Sequence, residues 1–267
     1  MECVDIERSI IKKFRKTLWC RFARSIDEYN LVQEGDKIAV CMSGGKDSFV
    51  LAKLFQELRR HGRIDFELEF IVMNPGYNKE NLDLIKHNLE LLNIPAHIFE
   101  SNIFDVVDDY GNNSPCYLCA RMRRGALYSK AKELGCNKIA LGHHFNDVIE
   151  TIMLNILYAG EYKTMMPKLK SENFPGLELI RPMYYVKEED IIAWAKYNDL
   201  KFINCACKLT SRTEEGKRKE VKKLIEELKK INENVDINIL RSSENINMDA
   251  IIGYKKDKEK VNFLDEY

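Results

Sequence analysis

Residues 39–48 read AVCMSGGKDS. An apolar run, residues 37–42, reads as a buried strand, and it stops at two adjacent glycines. The next residues, with Val50, Leu54 and Leu58 on one stripe, read as a helix over 46–60. In an open parallel sheet, ligands sit at the carboxyl ends of strands. Ser43, Gly44 and Gly45 occupy that position. Glycines let the backbone approach a ligand, and a following helix offers free N–H groups and a positive dipole end. Lys46 adds a charge, and Ser43 and Ser48 add hydroxyl donors. Asp47 would repel phosphate, so it makes sense as a ligand for a metal ion that bridges to phosphates. The stretch therefore points to a nucleotide polyphosphate. Neither G-x-x-x-x-G-K-S nor G-x-G-x-x-G is present, so it is another kind of phosphate loop.

Working outward, the spacing predicts a helix over 6–30, with Ile6, Ile10, Phe14, Leu18 and Phe22 on one stripe. Strands follow at about 66–73, 96–99 and 137–142, with helices at 78–92, 117–134 and 146–158. Alternation of this kind predicts an α/β fold with an open, mostly parallel Rossmann-like sheet covered on both faces. Beyond Gly160 a short strand is expected at 178–182, and helices at 187–198 and 214–231. Residues 255–267 read as a solvated tail. The expected organisation is a basic helical segment over 1–34, a catalytic domain over 35–210, and a charged helical extension over 211–267.

The 267 residues are 45% hydrophobic, enough for one large core or two small ones. No apolar stretch is long enough for a membrane span, and the N-terminus lacks a signal-peptide block, so the expected compartment is the cytoplasm. Net charge is zero but unevenly spread. Residues 8–24 carry seven Lys or Arg and no acid; residues 64–109 carry ten acids and two lysines. A polyanion could rest on the basic face, and a solvated helix explains the same pattern.

The chain has eight cysteines. In a cytosolic chain disulfides explain them poorly. Cys116 and Cys119, in PCYLCARMRRG (115–125), lie on one side of a helix start beside Arg121, Arg123 and Arg124. Alone they suit a redox dithiol, with Cys205 and Cys207 a zinc site, and with Cys205 as third ligand an iron–sulfur cluster; spacing alone favours zinc. His143 and His144 end the fourth strand next to Asp147, at the same sheet edge as the glycine loop. Two histidines with a carboxylate there outweigh a packing role.

S-G-G-K-D-S after a strand resembles the PP-loop of the ATP pyrophosphatase superfamily (adenine nucleotide alpha hydrolase-like). C-x-x-C-x-R-x-R-R-G followed by A-L-G-H-H-x-x-D resembles the TtcA family of tRNA 2-thiocytidine synthetases. The likeness continues in MMPKLKSE, LIRPMYYVKEEDI and FINCAC, over about residues 35–250. It implies ATP on Ser43, Gly44, Gly45, Lys46, Asp47 and Ser48, with Met73, Gly142 and His143 completing the nucleotide site and Mg2+ on Asp47. It implies a [4Fe–4S] cluster on Cys116, Cys119 and Cys205, with an open iron that holds the attacking sulfide. It implies adenylation of a pyrimidine carbonyl in tRNA and its replacement by sulfur. Cys116, Cys119, Asp47, Arg123 and Asp147 form the implied catalytic set. A sulfur donor (a cysteine desulfurase or inorganic sulfide) and a homodimer are expected, and no membrane partner. Two departures stand out. Asn146 replaces a carboxylate of the family's G-H-H-x-D-D, and Cys205-Ala206-Cys207 replaces C-x-x-C. The rival readings are a PP-loop thiolase acting on another tRNA base or a non-tRNA substrate, tRNA lysidine synthesis, and a zinc-stabilised nucleotide-binding module.

Overall fold

The computed structural model describes residues 2–101, 103, 115–203, 214–257 and 259–265; for 115–120 and 214–215 it describes the backbone alone. Six strands form one sheet: β1 (Lys37–Met42), β2 (Glu67–Asn74), β3 (Ala96–Glu100), β4 (Lys138–Ala140), β5 (Lys168–Lys170) and β6 (Glu178–Ile180). Their order is β3-β2-β1-β4-β6-β5. All neighbours are parallel except β5, an antiparallel edge beside β6. The chain builds outward from β1 through β2 to β3, then crosses back to lay β4 on β1's other side. The topological switch point therefore lies between β1 and β4, where a crevice opens at the strand ends.

Period-two alternation sorts β1 between two cores. Ile38, Val40 and Met42 face a large cluster with Phe70 and Val72; Ala39 and Cys41 face a smaller one with Ile71, Ile139, Tyr128 and Ala131. A central strand buried on both faces needs a continuous apolar run, which KIAVCM supplies after its lysine. Helices α3 (Lys46–His61), α4 (Lys79–Leu91) and α7 (Glu188–Tyr197) contribute to the first cluster, and α5 (Pro115–Glu133) to the second. A third apolar cluster joins α6 (Phe145–Leu154) to α8 (Glu214–Ile231) and α9 (Val235–Ser242).

The N-terminal helices α1 (Cys3–Ile11) and α2 (Cys20–Glu28) pack into the first cluster. Ile6, Ile10, Leu18 and Phe22 are at most 1% exposed. The expected single helix over 6–30 is interrupted by a π-helical turn, Arg15–Trp19. The physical reason lies in the spacing. The stripe repeats every four residues, while an α-helix turns every 3.6, so a wider turn keeps the stripe on the core. A second π-turn, Asn155–Ala159, follows α6 and buries none of its residues. The sequence pattern signals neither the strand β5, nor the helix α9, nor a hairpin of β7 (Gly253–Lys256) with β8 (Glu259–Asn262). The hairpin occupies part of what reads as a solvated tail.

Candidate active site

The crevice at the switch point is a cleft of about 330 Å³. Its lining includes Ser43, Asp47, Ser48, Met73, Gly142, His143, Arg123 and Asp147. The strand–loop–helix unit and the strand-end histidines thus meet in space, although they lie about a hundred residues apart in the chain.

The loop Ser43–Gly45 has a defined shape. Gly44 has φ +87°, in the left-handed region that suits glycine. A Cβ there would lie 2.7 Å from both Ile85 and Ile203 side chains, so the loop is pressed onto the core. Ser48 Oγ donates to the Gly45 carbonyl at 2.8 Å, which ties the loop to the first turn of α3. Ser48 therefore braces the loop in addition to facing the cleft. Tyr77 Oη donates to the Ser43 carbonyl at 3.1 Å and also lines the cleft. The Ser48 and Phe49 N–H groups donate to the Gly45 carbonyl at 3.1 and 3.4 Å, so the N–H groups of Lys46 and Asp47 are the ones that the start of α3 leaves for an anion. From the opposite wall Gly142 comes within van der Waals contact: a Cβ on it would lie 3.3 Å from the Asp47 carbonyl carbon and the Ser48 nitrogen.

Lys46 takes a different direction from the one its sequence position suggests. Its Nζ donates to Glu188 Oε1 at 3.1 Å and lies 3.2 Å from Asp47 Oδ1. It lines a second cavity, against α7, together with Ala195, Phe202 and Ile203.

The segment Gly142–Asp147 leads into α6, with His144 at the N-cap. His144 N–H donates to Asp147 Oδ2 at 3.0 Å, an N-terminal cap made by the third helical residue. The His144 ring lies 3.4 Å from Asp147 and 3.9 Å from Asp47. Burial pulls the Asp147 carboxyl upward, but the His144 and His143 rings, the His144 N–H and Arg218 outweigh it and hold it below the usual range. Burial pushes His143 down to about 4, so its ring is neutral near neutral pH. Its Nδ1 is buried with no hydrogen-bond partner among the described residues. Asn146 faces elsewhere: its Oδ1 accepts the Glu188 N–H at 2.9 Å and caps α7. A carboxylate at 146 would accept the same bond, so the departure from the G-H-H-x-D-D pattern leaves this contact intact.

A family model for the PP-loop domain matches residues 18–241. The chain is 36% identical over 229 residues to the tRNA-cytidine(32) 2-sulfurtransferase of Citrifermentans bemidjiense, covering 85% of this chain and 89% of that one. It is 38% identical over 240 residues to the enzyme of the same name from Syntrophotalea carbinolica, covering 89% and 88%. The chain belongs to the TtcA family of PP-loop tRNA sulfurtransferases. Among solved structures it is similar to the U34-tRNA thiolase NcsA of Methanococcus maripaludis, described with its [4Fe–4S] cluster. That match has a TM-score of 0.68 at 24% identity and covers 87% of this chain and 80% of that one. It bears out the PP-loop α/β fold.

Cys116 and Cys119 fall at the start of α5, and Arg123 and Leu127 of the same helix line the cleft. Cys205 and Cys207 lie outside the described residues; Ile203, two positions before Cys205 in the chain, packs on the Gly44 loop. Among the described residues, no group of three or more His, Cys, Asp or Glu is arranged to hold a metal. Cys41 and Cys136 are buried, and burial pushes both thiols up, Cys136 to about 11. They are inert packing groups, although Cys41 forms part of the cleft floor. The sequence reading missed Tyr77, Glu188 and Arg218. Arg218 of α8 lies 3.8 Å from Asp147 and 3.4 Å from Glu150. Tyr77 follows the Asn74-Pro75-Gly76 turn after β2, a strand-end position that signals a site; the other two stand in charged helices that look like solvated faces.

Proposed function

We propose that the protein uses ATP to thiolate a cytidine in the anticodon loop of tRNA. The observation that carries this reading is the cleft that unites the PP-loop, the His143–Asp147 segment and the arginine of the cysteine helix. ATP would lie across the sheet edge, with its phosphates on residues 43–48 and its adenine by the backbone at Met73. Asp47 fits a Mg2+ ion: its buried Oδ1 lies 3.2 Å from the Lys46 ammonium but makes no hydrogen bond among the described residues, and the charge of phosphates alone would repel it.

The pyrimidine carbonyl oxygen attacks the α-phosphorus of ATP; the new P–O bond replaces the bond to pyrophosphate, which leaves. Oxygen then departs with AMP as sulfur bonds to the same carbon. Arg123, on the cleft wall, would stabilise charge developing on the phosphate. Asp147 is held ionised, so near neutral pH it suits accepting a proton or fixing a cation better than donating one. The neutral His143 offers a buried nitrogen to the reacting base. Three cysteine thiolates are a donor set for an iron–sulfur cluster, which Cys116, Cys119 and Cys205 would hold and which would supply the sulfur.

The test is anaerobic incubation with unmodified tRNA, ATP, magnesium and sulfide. AMP, pyrophosphate and 2-thiocytidine should form together, with iron bound to the wild type and lost from Cys116→Ala. AMP formation without a thionucleoside, or a colourless protein carrying one zinc, would sink the sulfur-transfer reading.

A further inference from the structure

Glu188, the first residue of α7, sits where three separate parts of the chain converge. One oxygen, Oε1, accepts from Lys46 Nζ of the PP-loop helix at 3.1 Å. The other, Oε2, accepts from Lys222 Nζ of α8 at 2.6 Å. Its backbone N–H is capped by Asn146 of the histidine segment. The side chain is 20% exposed. Burial opposes its charge, but the bonds from Lys222 and Lys46 prevail and hold the carboxyl at about 2, while Lys46 stays a cation. The pair is thus fully charged and partly dehydrated, the setting in which a charge-assisted bond is strong and directional.

We propose that Glu188 is a positioning residue for nucleotide binding: it holds Lys46, and through it the PP-loop, in the form that receives the phosphates of ATP. The claim deepens the ATP-dependent reading above and rests on it. Two carboxylates compete for one ammonium. Lys46 has two carboxylate partners, Glu188 and Asp47, at nearly equal distance. Without Glu188 the ammonium collapses onto Asp47 alone. That neutralises the carboxylate proposed to face the magnesium ion, and it frees the residue that follows Gly45 to rotate. With Glu188 in place, Lys46 is shared and Asp47 keeps negative charge toward the cleft. The second bond, to Lys222, fastens α8 to the same carboxylate, and in the chain α8 follows the segment that carries Cys205 and Cys207.

The experiment measures ATP affinity with magnesium by calorimetry, which needs no tRNA and no sulfur chemistry. Glu188→Gln keeps the size of the side chain and leaves the backbone bond to Asn146 in place, so α7 stays capped. Loss of one charge-assisted bond is expected to weaken ATP binding roughly tenfold. Lys222→Met removes the α8 anchor but leaves the Glu188–Lys46 bond, and should bind ATP as the wild type does. Equal losses in both variants would mean that Glu188 only anchors α8, and would overturn the proposal. Tighter binding by Glu188→Gln would also overturn it, because Glu188 would then compete with the phosphates for Lys46. If the Glu188→Gln protein melts far below the wild type, Lys46→Met supplies the second measurement: it should weaken ATP binding as much, and wild-type affinity in it would refute the role. A wild type that binds ATP but thiolates no tRNA would fail the sulfur-transfer reading and leave this result standing.

Discussion

Gly142 sets the closest approach between the two halves of the cleft. A methyl group there would press on the peptide between Asp47 and Ser48, backbone that has no rotamer to give. Gly142→Ala should cost about 1–3 kcal/mol of stability by overpacking and weaken ATP binding. Chemical denaturation and calorimetry check this; wild-type values in both would mean the walls can part freely. Two buried groups beside the cleft give opposite pH dependences. His143 has a folded pKa of about 4, below the roughly 6.5 of an unfolded chain. The unfolded state therefore binds the extra proton, and this contribution is lost as pH falls from about 6.5 toward 4. Glu150 is raised by burial to about 7, above the roughly 4.3 of an unfolded chain, despite Arg218 nearby. Its contribution is present at low pH and lost as pH rises toward 7. Glu150→Gln should thus gain stability relative to the wild type as pH rises from about 5 to about 8. His143→Gln should flatten the acid side. Parallel curves in urea titrations at each pH would refute these assignments.

At the scale of elements, the N-terminal helices are bound by charge as well as by apolar burial. Lys53 of α3 is 1% exposed at its side chain. It donates to Glu7 of α1 at 2.6 Å, to Gln56 at 2.6 Å and to the Leu92 carbonyl past the end of α4 at 2.9 Å. Arg60 also donates to Glu7, at 2.8 Å. One buried ammonium therefore joins three helices. Glu7→Ala leaves that charge without its carboxylate, a loss of about 3–5 kcal/mol for a buried pair. The change should lower the unfolding midpoint and expose α1 to proteolysis. Retention of the wild-type midpoint would show that Gln56 and the Leu92 carbonyl suffice.

Over the whole molecule, pairing sorts the basic N-terminal run into two groups. Arg8, Arg21 and Arg24 are engaged with Asp5, Asp190 and Glu28. Lys12, Lys13, Arg15 and Lys16 are exposed and have no carboxylate partner among the described residues, and Lys13 sits 3.6 Å from the centre of the Tyr197 ring. These four suit binding to RNA phosphates. Replacing them by alanine should weaken tRNA binding across sequences. The dependence of log affinity on log salt should become shallower by about 0.7–0.9 for each phosphate left without its cation. An unchanged slope would place the RNA elsewhere.

The sequence by itself determined the fold class and most of the cleft. A central strand, a Gly-Gly loop and a helix leave little conformational choice, and alternating elements force a parallel sheet whose switch point carries the ligand. It also determined that Gly142, His143 and Asp147 share that edge, because strand ends in a parallel sheet point the same way. Only the tertiary structure decided where Lys46 points, that Asn146 caps α7, and that Glu188 and Arg218 reach the site. The bonds to Glu188 span 42 positions from Asn146 and 142 from Lys46. Local patterns cannot distinguish a charged side chain bound across a domain from one in water. The break in the first helix was hidden for a related reason: a four-residue stripe reads as α-helix until the core fixes which way it must face.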